Sequence, residues 1–361
     1  MIFSIIVALA AGSAPEPEPP HIQNIVELHA CPAGSQGWFV QAECVEADAQ
    51  ELVVVRQEQD SRGRLGSSDI VAIDLKTGQQ LSRVEIAPTL DAALAISKDG
   101  REVIVVKKVD DANWGPWHAC LWRFDSDARK LKEYSELNGP NFFLRDAKNP
   151  AISPDGSRAA IMGYRDEADS EGAVRMVQCV GVLDLTEGTV RAVSLLRVPN
   201  PDEWDPDWYL RWSEDGTSIY AIIHHGYLDE PTSATLYRVS PTVLSATALL
   251  EVPPTTIGFG PGDSIVVADT LGRGWGPHCA FGVVALSNLI GLSLPNYDAR
   301  IAFSNALAMT SVIAPNVPSF DSFQHVWVGR KHAYAEVVKL TTGVCEKRVL
   351  VELSPPSSRP D

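Results

Sequence analysis

A strand–turn–strand signature that returns at intervals of about fifty residues limits the possible folds of this chain more than any other feature. Each copy is an Asp-Gly pair with apolar residues on both sides, and the pairs end at Gly100, Gly156 and Gly216 and, in a weaker copy, near Gly262. The pair supplies residues with positive φ for a tight hairpin turn, so each copy predicts two antiparallel strands. The same interval predicts further copies at both ends of this series, which makes six units.

A second pair of apolar segments follows each signature before the next one begins. These pairs fall within residues 70–86, 120–134, 180–190, 235–250, 281–294 and 334–353. Four strands per unit, repeated six times, are the sequence form of propeller blades. The sequence therefore predicts an all-β, six-bladed β-propeller with four-stranded antiparallel blades. A β-sandwich ranks second, because many short strands fit it but a fixed period does not.

The Ser-Pro-Asp-Gly sequence at residues 153–156 resembles the repeat of the TolB-like six-bladed propellers. Ser-Lys-Asp-Gly at 97–100 and Ser-Glu-Asp-Gly at 213–216 are near matches. The same repeat occurs in the propeller domain of prolyl oligopeptidase-type peptidases. The resemblance covers residues 37–353 and implies the fold, whereas propellers of this kind support many unrelated activities. It also implies a propeller without the hydrolase domain, since the blades occupy almost the whole chain.

The N-terminus has the layout of a secretory signal. An apolar run at residues 2–11 is followed by small residues, although the run lacks the basic residues that normally precede it. The run is too short to span a bilayer, so we expect a secreted or periplasmic protein with no membrane insertion after cleavage. The predicted division of the chain is a signal peptide at 1–14, a Pro-rich spacer and N-terminal strand at 15–36, the propeller at 37–353 and a disordered tail at 354–361.

The six cysteines allow several arrangements. None forms a Cys-x-x-Cys pair, which argues against a structural zinc site. In an exported protein, Cys31 can pair with Cys44 and tie the N-terminal segment to the first blade, or with Cys345 and close the ring. The alternative is that several cysteines are buried on strands as small apolar residues.

The net charge of −16 narrows the choice of partners. An acidic surface repels phosphate backbones, so nucleic acid is disfavoured. The familiar catalytic motifs are also absent from the sequence: it contains no Gly-x-Ser-x-Gly, no His-Glu-x-x-His, no phosphate-binding glycine loop and no EF-hand loop.

Histidines recur near the third strand of the predicted blades. Trp114 and His118 share a Trp-Gly-Pro-containing segment in the second blade, and Trp275 and His278 share a similar one in the fifth. In a propeller, such loops lie on one face, opposite the Asp-Gly turns. Imidazole binds Zn, Mn, Fe and Ni, so a metal site over the channel is one interpretation. A duplicated turn that packs on the next blade is the simpler interpretation, and we favour it.

The equivalent loop of the fourth blade is predicted to hold His224 and His225. With His118 and His278 they place several imidazoles at one end of the ring, and His118, His225 and His278 are the candidate metal ligands. Direct ligation by His118 and His278 requires both side chains to reach across the channel, because the second and fifth of six blades lie on opposite sides.

An acidic segment at residues 199–208 contains Trp204 and Trp208 and lies on the same predicted face. Carboxylates and aromatic rings suit calcium or a sugar, but the spacing lacks the pattern of a calcium loop. We favour a solvated loop with both indoles packed into neighbouring blades. Residues 138–143 form another inter-blade loop on that face and are expected to narrow the channel.

Two classes of function remain. The favoured one is a non-catalytic binding or scaffold module for a protein, peptide or glycan, with no cofactor. Its candidate ligand-binding residues on the loop face are Trp114, His118, Trp204, Trp208, His224, His225, Trp275 and His278. The alternative is a metal-dependent polysaccharide lyase or hydrolase with a transition metal held by the histidines. An enzyme is the less favoured class, because no catalytic group is identifiable.

Overall fold

A computed structural model gives the fold of the chain. It describes residues 25–27, 37–45, 51–59, 65–74, 79–88, 92–97, 102–108, 117–123, 129–135, 137, 141–145, 150–168, 170, 172–197, 208–227, 230–252, 256–260, 264–268, 281–285, 322–328, 333–341 and 344–353. These residues contain 23 β-strands and no helix. In this part of the chain there is accordingly no helix of the length and hydrophobicity needed to cross a membrane.

The strands form six antiparallel sheets, which we number as blades 1 to 6. The first described strand, β1 (Ile25–Glu27), belongs to blade 6. Blade 1 contains β2 (Gly37–Val45), β3 (Glu51–Gln59), β4 (Leu65–Asp74) and β5 (Gln80–Pro88). Blade 2 contains β6 (Ala92–Ile96), β7 (Glu102–Lys108), β8 (Trp117–Arg123) and β9 (Arg129–Tyr134).

The remaining blades follow the same order. Blade 3 contains β10 (Ala151–Ile152), β11 (Arg158–Ala168), β12 (Val174–Asp184) and β13 (Val190–Arg197). Blade 4 contains β14 (Trp208–Trp212), β15 (Ile219–Tyr227), β16 (Glu230–Ser240) and β17 (Ser245–Val252). The described strands of blade 5 are β18 (Thr256–Gly260), β19 (Ser264–Ala268) and β20 (Phe281–Ala285). Blade 6 combines β21 (Ser322–Val328), β22 (Ala333–Thr341) and β23 (Val344–Leu353) with β1.

The first strands of the blades lie next to one another in a closed circle. β2 neighbours β6, and the series continues through β10, β14, β18 and β21 back to β2. Four-stranded sheets arranged around an axis in chain order make a β-propeller, so the predicted all-β propeller is confirmed. The prediction of six complete blades also places strands of the fifth and sixth blades within residues 286–321. These residues lie outside the described part of the chain.

The N-terminal strand is part of the ring. β1 pairs antiparallel with β23, with Val26 opposite Leu350. The predicted propeller at 37–353 has a last blade built from residues 306–353 alone. In the structure, the fourth strand of blade 6 is β1, which lies in the segment 15–36 that was predicted to hold an N-terminal strand. The predicted first strand at 306–309 lies outside the described residues.

Hydrogen bonds account for the Ser-x-Asp-Gly sequence at the start of the blades. In blade 3, the Gly156 N–H donates to the Ser153 carbonyl oxygen over 2.9 Å, and Ser153 Oγ accepts from the Arg158 N–H over 2.9 Å. The Asp155 carboxylate accepts from Ser153 Oγ (2.5 Å) and from the Ser157 N–H (3.1 Å). These bonds lower the pKa of Asp155 to about 2. The serine therefore bonds to the backbone on the far side of the turn, and the aspartate holds the serine hydroxyl in position.

Blade 4 repeats this arrangement. The Gly216 N–H donates to the Ser213 carbonyl oxygen, and Asp215 Oδ1 accepts from Ser213 Oγ (2.6 Å). Gly156 and Gly216 have φ of +72° and +69°. The expectation that the whole Asp-Gly pair adopts positive φ is wrong for the described turns, because only the glycine does. The aspartate acts through its side chain instead.

Apolar side chains fill the spaces between adjacent blades. Between blades 2 and 3, the buried Phe142 ring lies over two glycines of blade 3, where an added Cβ would come within 2.5 Å of the ring at both Gly163 and Gly181. Between blades 3 and 4, Trp212 Nε1 donates to the Ala151 carbonyl oxygen over 3.0 Å. Blades 2 and 3 are also joined by a buried hydrogen bond of 2.6 Å from the Tyr134 hydroxyl to the Leu185 carbonyl oxygen.

The Phe142 contact gives a test of this packing. We expect Gly181→Ala to destabilise the protein by about 1–3 kcal/mol, because the new methyl group has no space beneath the ring. Phe142→Leu, introduced together with Gly181→Ala, should recover part of the loss. Urea unfolding of the two single variants and the double variant measures the coupling. Additive effects would show that the ring does not occupy this site.

Candidate functional site

The candidate site lies at the end of the blades opposite the Ser-x-Asp-Gly turns, which we call the loop face. It contains the connections β7–β8, β11–β12 and β15–β16. Trp114, Trp204, Trp275 and His278 lie outside the described residues. The other predicted site residues, His118, Trp208, His224 and His225, are described, and all four lie within strands.

His118 belongs to an exposed ion-pair group on blade 2. The sequence pattern predicted that it lies in the loop before the third strand, but it is the second residue of β8. Its Nδ1 lies 3.1 Å from Glu133 Oε1, and Lys130 Nζ lies 2.6 Å from the other carboxylate oxygen. The hydrogen bond from Lys130 and, secondly, that from His118 lower the pKa of Glu133 to about 2. His118 thus already has a carboxylate partner on the neighbouring strand.

His224 and His225 lie in β15, not in the predicted loop, and they are engaged on opposite faces of blade 4. His224 is buried, and its ring makes an edge contact with Tyr209 at 6.0 Å between centroids. His225 Nε2 lies 2.7 Å from Thr235 Oγ1. Burial lowers the pKa of His225, and Glu251 opposes this shift, so the imidazole is neutral at pH 7.

The strand alternation places His224 and His225 in different inter-blade spaces. Successive side chains of a strand point to opposite faces. Ile223 packs in the cluster between blades 3 and 4 and Ile222 in the cluster between blades 4 and 5, so His225 and His224 follow them to these two sides. His118 lies on blade 2 and is therefore in neither of these two spaces. Among the described residues, no group of three or more His, Cys, Asp or Glu side chains could hold a metal ion.

Trp208 is not at the surface. It is the first residue of β14, is fully buried, and packs in the cluster between blades 3 and 4. The indole therefore belongs to the core, in agreement with the packing interpretation of this residue, and its burial argues against a ligand contact. Trp117, next to His118, is also fully buried, although its sequence pattern did not single it out.

Among the described hairpins of the loop face, the one between β11 and β12 has the most residue pairs. β11 and β12 have 11 residues each and are paired up to Ala168 and Val174, whereas β7 and β8 have 7 residues each. Four extra residues extend the hairpin by roughly 13 Å. Its end exposes Val174, with 68% of the residue's surface accessible. The sequence pattern did not predict this feature, and its only local signal is the acidic, Gly-containing segment at 165–175.

Polar contacts brace this hairpin near the end of β11. The Arg165 guanidinium forms an ion pair with the Glu167 carboxylate, with Arg165 Nε 2.7 Å from Glu167 Oε1. Ser194 Oγ on β13 donates to the same carboxylate oxygen over 2.6 Å. Side chains of β11 and β13 therefore meet at one carboxylate oxygen. These contacts tie the end part of β11 to the outer strand β13.

The predicted loop at 138–143 is described from residue 141 onward. The Phe143 N–H donates to the Tyr164 carbonyl oxygen, and the Tyr164 N–H donates back, each over 2.8 Å. This bridge lies on the edge of β11 that also pairs with β10. The segment therefore extends the innermost edge of blade 3 toward the loop face.

Two cysteines are free thiols in the core. Cys120 and Cys179 are buried, and burial raises the pKa of both, that of Cys179 to about 12. These two match the interpretation of cysteines as small apolar residues. The side chains of the other four, Cys31, Cys44, Cys279 and Cys345, lie outside the described part of the chain, so the two disulfide pairings stay predictions.

Comparison with known proteins places the chain by its fold. No protein-family model matches the chain, and no curated protein matches it either. Among solved structures, it is similar to a protein of unknown function from Dyadobacter fermentans DSM 18053, with 10% identity, a TM-score of 0.57, and coverage of 94% of this chain and 100% of the other. At 10% identity, this similarity shows the fold alone.

Two further solved structures match this chain with lower TM-scores. An acylaminoacyl peptidase in complex with Z-Gly-Gly-Phe-chloromethyl ketone matches with 13% identity and a TM-score of 0.44 over 84% of this chain, which spans 43% of that chain. TolB from Acinetobacter baumannii matches with 12% identity and a TM-score of 0.39 over 89% of this chain and 79% of that one. The propeller fold itself is shown by the arrangement of the sheets in this chain.

The Glu133 carboxylate offers a titration test of the loop-face ion pairs. Its pKa in the folded protein is about 2, below the ordinary value of 4.5. A lowered carboxyl pKa stabilises the fold above the unfolded-state pKa, and this stabilisation is lost as the pH falls from about 4.5 toward 2. Carbon-13 NMR of the carboxyl group should show the low pKa, and Lys130→Met should raise it more than His118→Ala does. An ordinary pKa in the unaltered protein would contradict the geometry.

Proposed function

We propose that this chain is an exported β-propeller that works as a non-catalytic binding or scaffold module for a protein, peptide or glycan. The observation that supports it best is the separation of His118, His224 and His225, each engaged by a neighbour of its own blade. Catalysis by a shared metal needs ligands that converge on one ion. A binding module needs only a surface that keeps its shape, and the hydrogen-bonded β11–β12 hairpin supports this role.

The β11–β12 hairpin is the proposed centre of that surface. Its exposed Val174 stands beside the exposed Arg175, so the end of the hairpin combines an apolar contact with a charged group. Interfaces gain most of their affinity from a few such side chains on a preorganised support. The shared contacts of Arg165, Glu167 and Ser194 supply that support. The partner would meet the hairpin without first having to order it.

The net charge and the predicted location limit the class of partner further. With a net charge of −16, the chain attracts basic groups over long distances and repels acidic ones. The apolar run at residues 2–11 favours export, so the partner is expected among exported proteins or glycans. Proline-rich residues 15–20 then act as a spacer before the ring.

Substitution at the end of the hairpin tests where binding occurs. Mature protein is immobilised, and saturable binding is measured with exported proteins fractionated by charge and with an array of glycans. Val174→Glu should weaken binding of the ligand found by at least about tenfold, because it removes a central apolar contact. Leu131→Glu is the matched control: it makes the same kind of change at an exposed residue of β9 and should leave binding unchanged. Equal binding by the two variants would contradict a site on the hairpin.

Metal content separates this function from a metalloenzyme. Protein purified without chelators or metal-affinity steps should contain well below one equivalent of any transition metal by elemental mass spectrometry, and should take up none on titration with Zn²⁺ or Mn²⁺. About one equivalent of metal that is lost in both His118→Ala and His225→Ala would overturn the proposal. It would establish the lyase or hydrolase alternative as the better account of the loop face.

A further inference from the structure

The turn between β16 and β17 has an unusual conformation. Leu244 has φ of +52°, and it is the only residue other than glycine with positive φ in the described part of the chain. The corresponding turn of blade 3 has Gly188 at φ +80°. A bulky side chain is strongly disfavoured in this region, where glycine or asparagine is the usual choice. The chain therefore keeps a leucine where its own repeat uses glycine.

The same turn exposes apolar surface. Val243 is 75% exposed and Leu244 is 42% exposed. Backbone strain that persists at an exposed position points to a functional constraint, and adjoining exposed apolar residues mark contact surfaces more often than scattered ones do. Strain and exposure coincide in these two residues, which we call the apolar tip.

The strand that follows the apolar tip is a sheet edge with a single charged residue. β17 is the outer strand of blade 4, and its residues 245–250 carry no charge. Proteins usually protect such edges with charged side chains or proline. The outer strand β9 has four charged residues in six, and β5 and β13 have at least two each. Thr247 and Ala248, in the middle of β17, are exposed.

We propose that β17 and the apolar tip form the contact by which two copies of this chain make a symmetric dimer. The strands would pair antiparallel across a two-fold axis at Thr247, which then faces Thr247 of the second copy. Such a contact is isologous, with the same patch on both copies. Cross-strand threonine pairs are favourable, and Ala246 and Ala248 face each other on either side.

This register also matches the two ends of the strand. Leu244 of one copy lies beside Leu249 and Leu250 of the other, so the apolar tip is covered by half-buried leucines. Glu251, the one charged residue of β17, comes near Val243 of the other copy. The two Glu251 side chains are then about 25 Å apart along the strands, so no like charges oppose each other. Neither this contact nor its test rests on the proposed function.

Sedimentation equilibrium of the full mature protein tests the dimer directly. Over about 1–200 µM at roughly physiological salt, the unaltered protein should associate to twice the monomer mass. Thr247→Lys should reduce the association constant by at least about tenfold, since two lysines would meet at the axis. Val174→Lys makes a comparable change on the other end of the propeller and should leave the association unchanged.

Two further measurements distinguish this dimer from nonspecific association. Salt should strengthen the dimer, because it screens the repulsion between two chains of charge −16. Leu244→Gly should raise the melting temperature of the monomer and weaken the dimer, whereas a purely structural role for Leu244 would change only the melting temperature. A protein that stays monomeric at the highest concentration overturns the proposal, as does an association insensitive to Thr247→Lys. A monomer that binds a different protein through the apolar tip would also overturn it.

Discussion

Face-to-face packing of neighbouring blades is the interaction on which the rest of the structure depends. A single four-stranded sheet leaves two apolar faces open to water, and each blade covers one face of the next. Side chains such as Ile161 and Met162 are adjacent in β11, yet they pack in different clusters, toward blades 2 and 4 respectively. Because burial is shared in this way, no blade is a stable unit by itself. Polar contacts, including that from Tyr134 to Leu185, add direct links between neighbouring blades.

This packing also determines where side chains near the loop face point. A histidine at the end of a second or third strand follows the alternation of that strand into a space between blades, not toward the axis. His224 and His225 are neighbours in sequence, but one contacts Tyr209 and the other Thr235. A ligand site built from several blades therefore has to come from segments that extend past the strands, as the β11–β12 hairpin does. The fold favours recognition by such projections.

The features that could be predicted from the sequence depend on short-range hydrogen bonds. The Ser-x-Asp-Gly turns could be found because their donors and acceptors lie within six residues, as from Ser153 to Arg158. The pairing of β1 with β23 could not be found, because it joins segments more than 300 residues apart in the chain and neither has a distinctive motif. The directions of the histidines were missed for a different reason: the pattern placed them in loops, and alternation assigns a residue to a face only when it lies within a strand. The strand that contains His225 is longer than its hydrophobic pattern suggests.

The joint between the two chain ends has a consequence for the lifetime of the folded protein. Among the described residues, three pairs join β1 to β23, whereas eleven pairs join β11 to β12. Local opening starts where few backbone hydrogen bonds have to break together. The ring is therefore expected to open first between β1 and β23. A protease that removes the chain up to a few residues beyond Glu27 would remove β1 while leaving the other blades intact. In an exported protein, the position of the mature N-terminus would then control how long the ring persists.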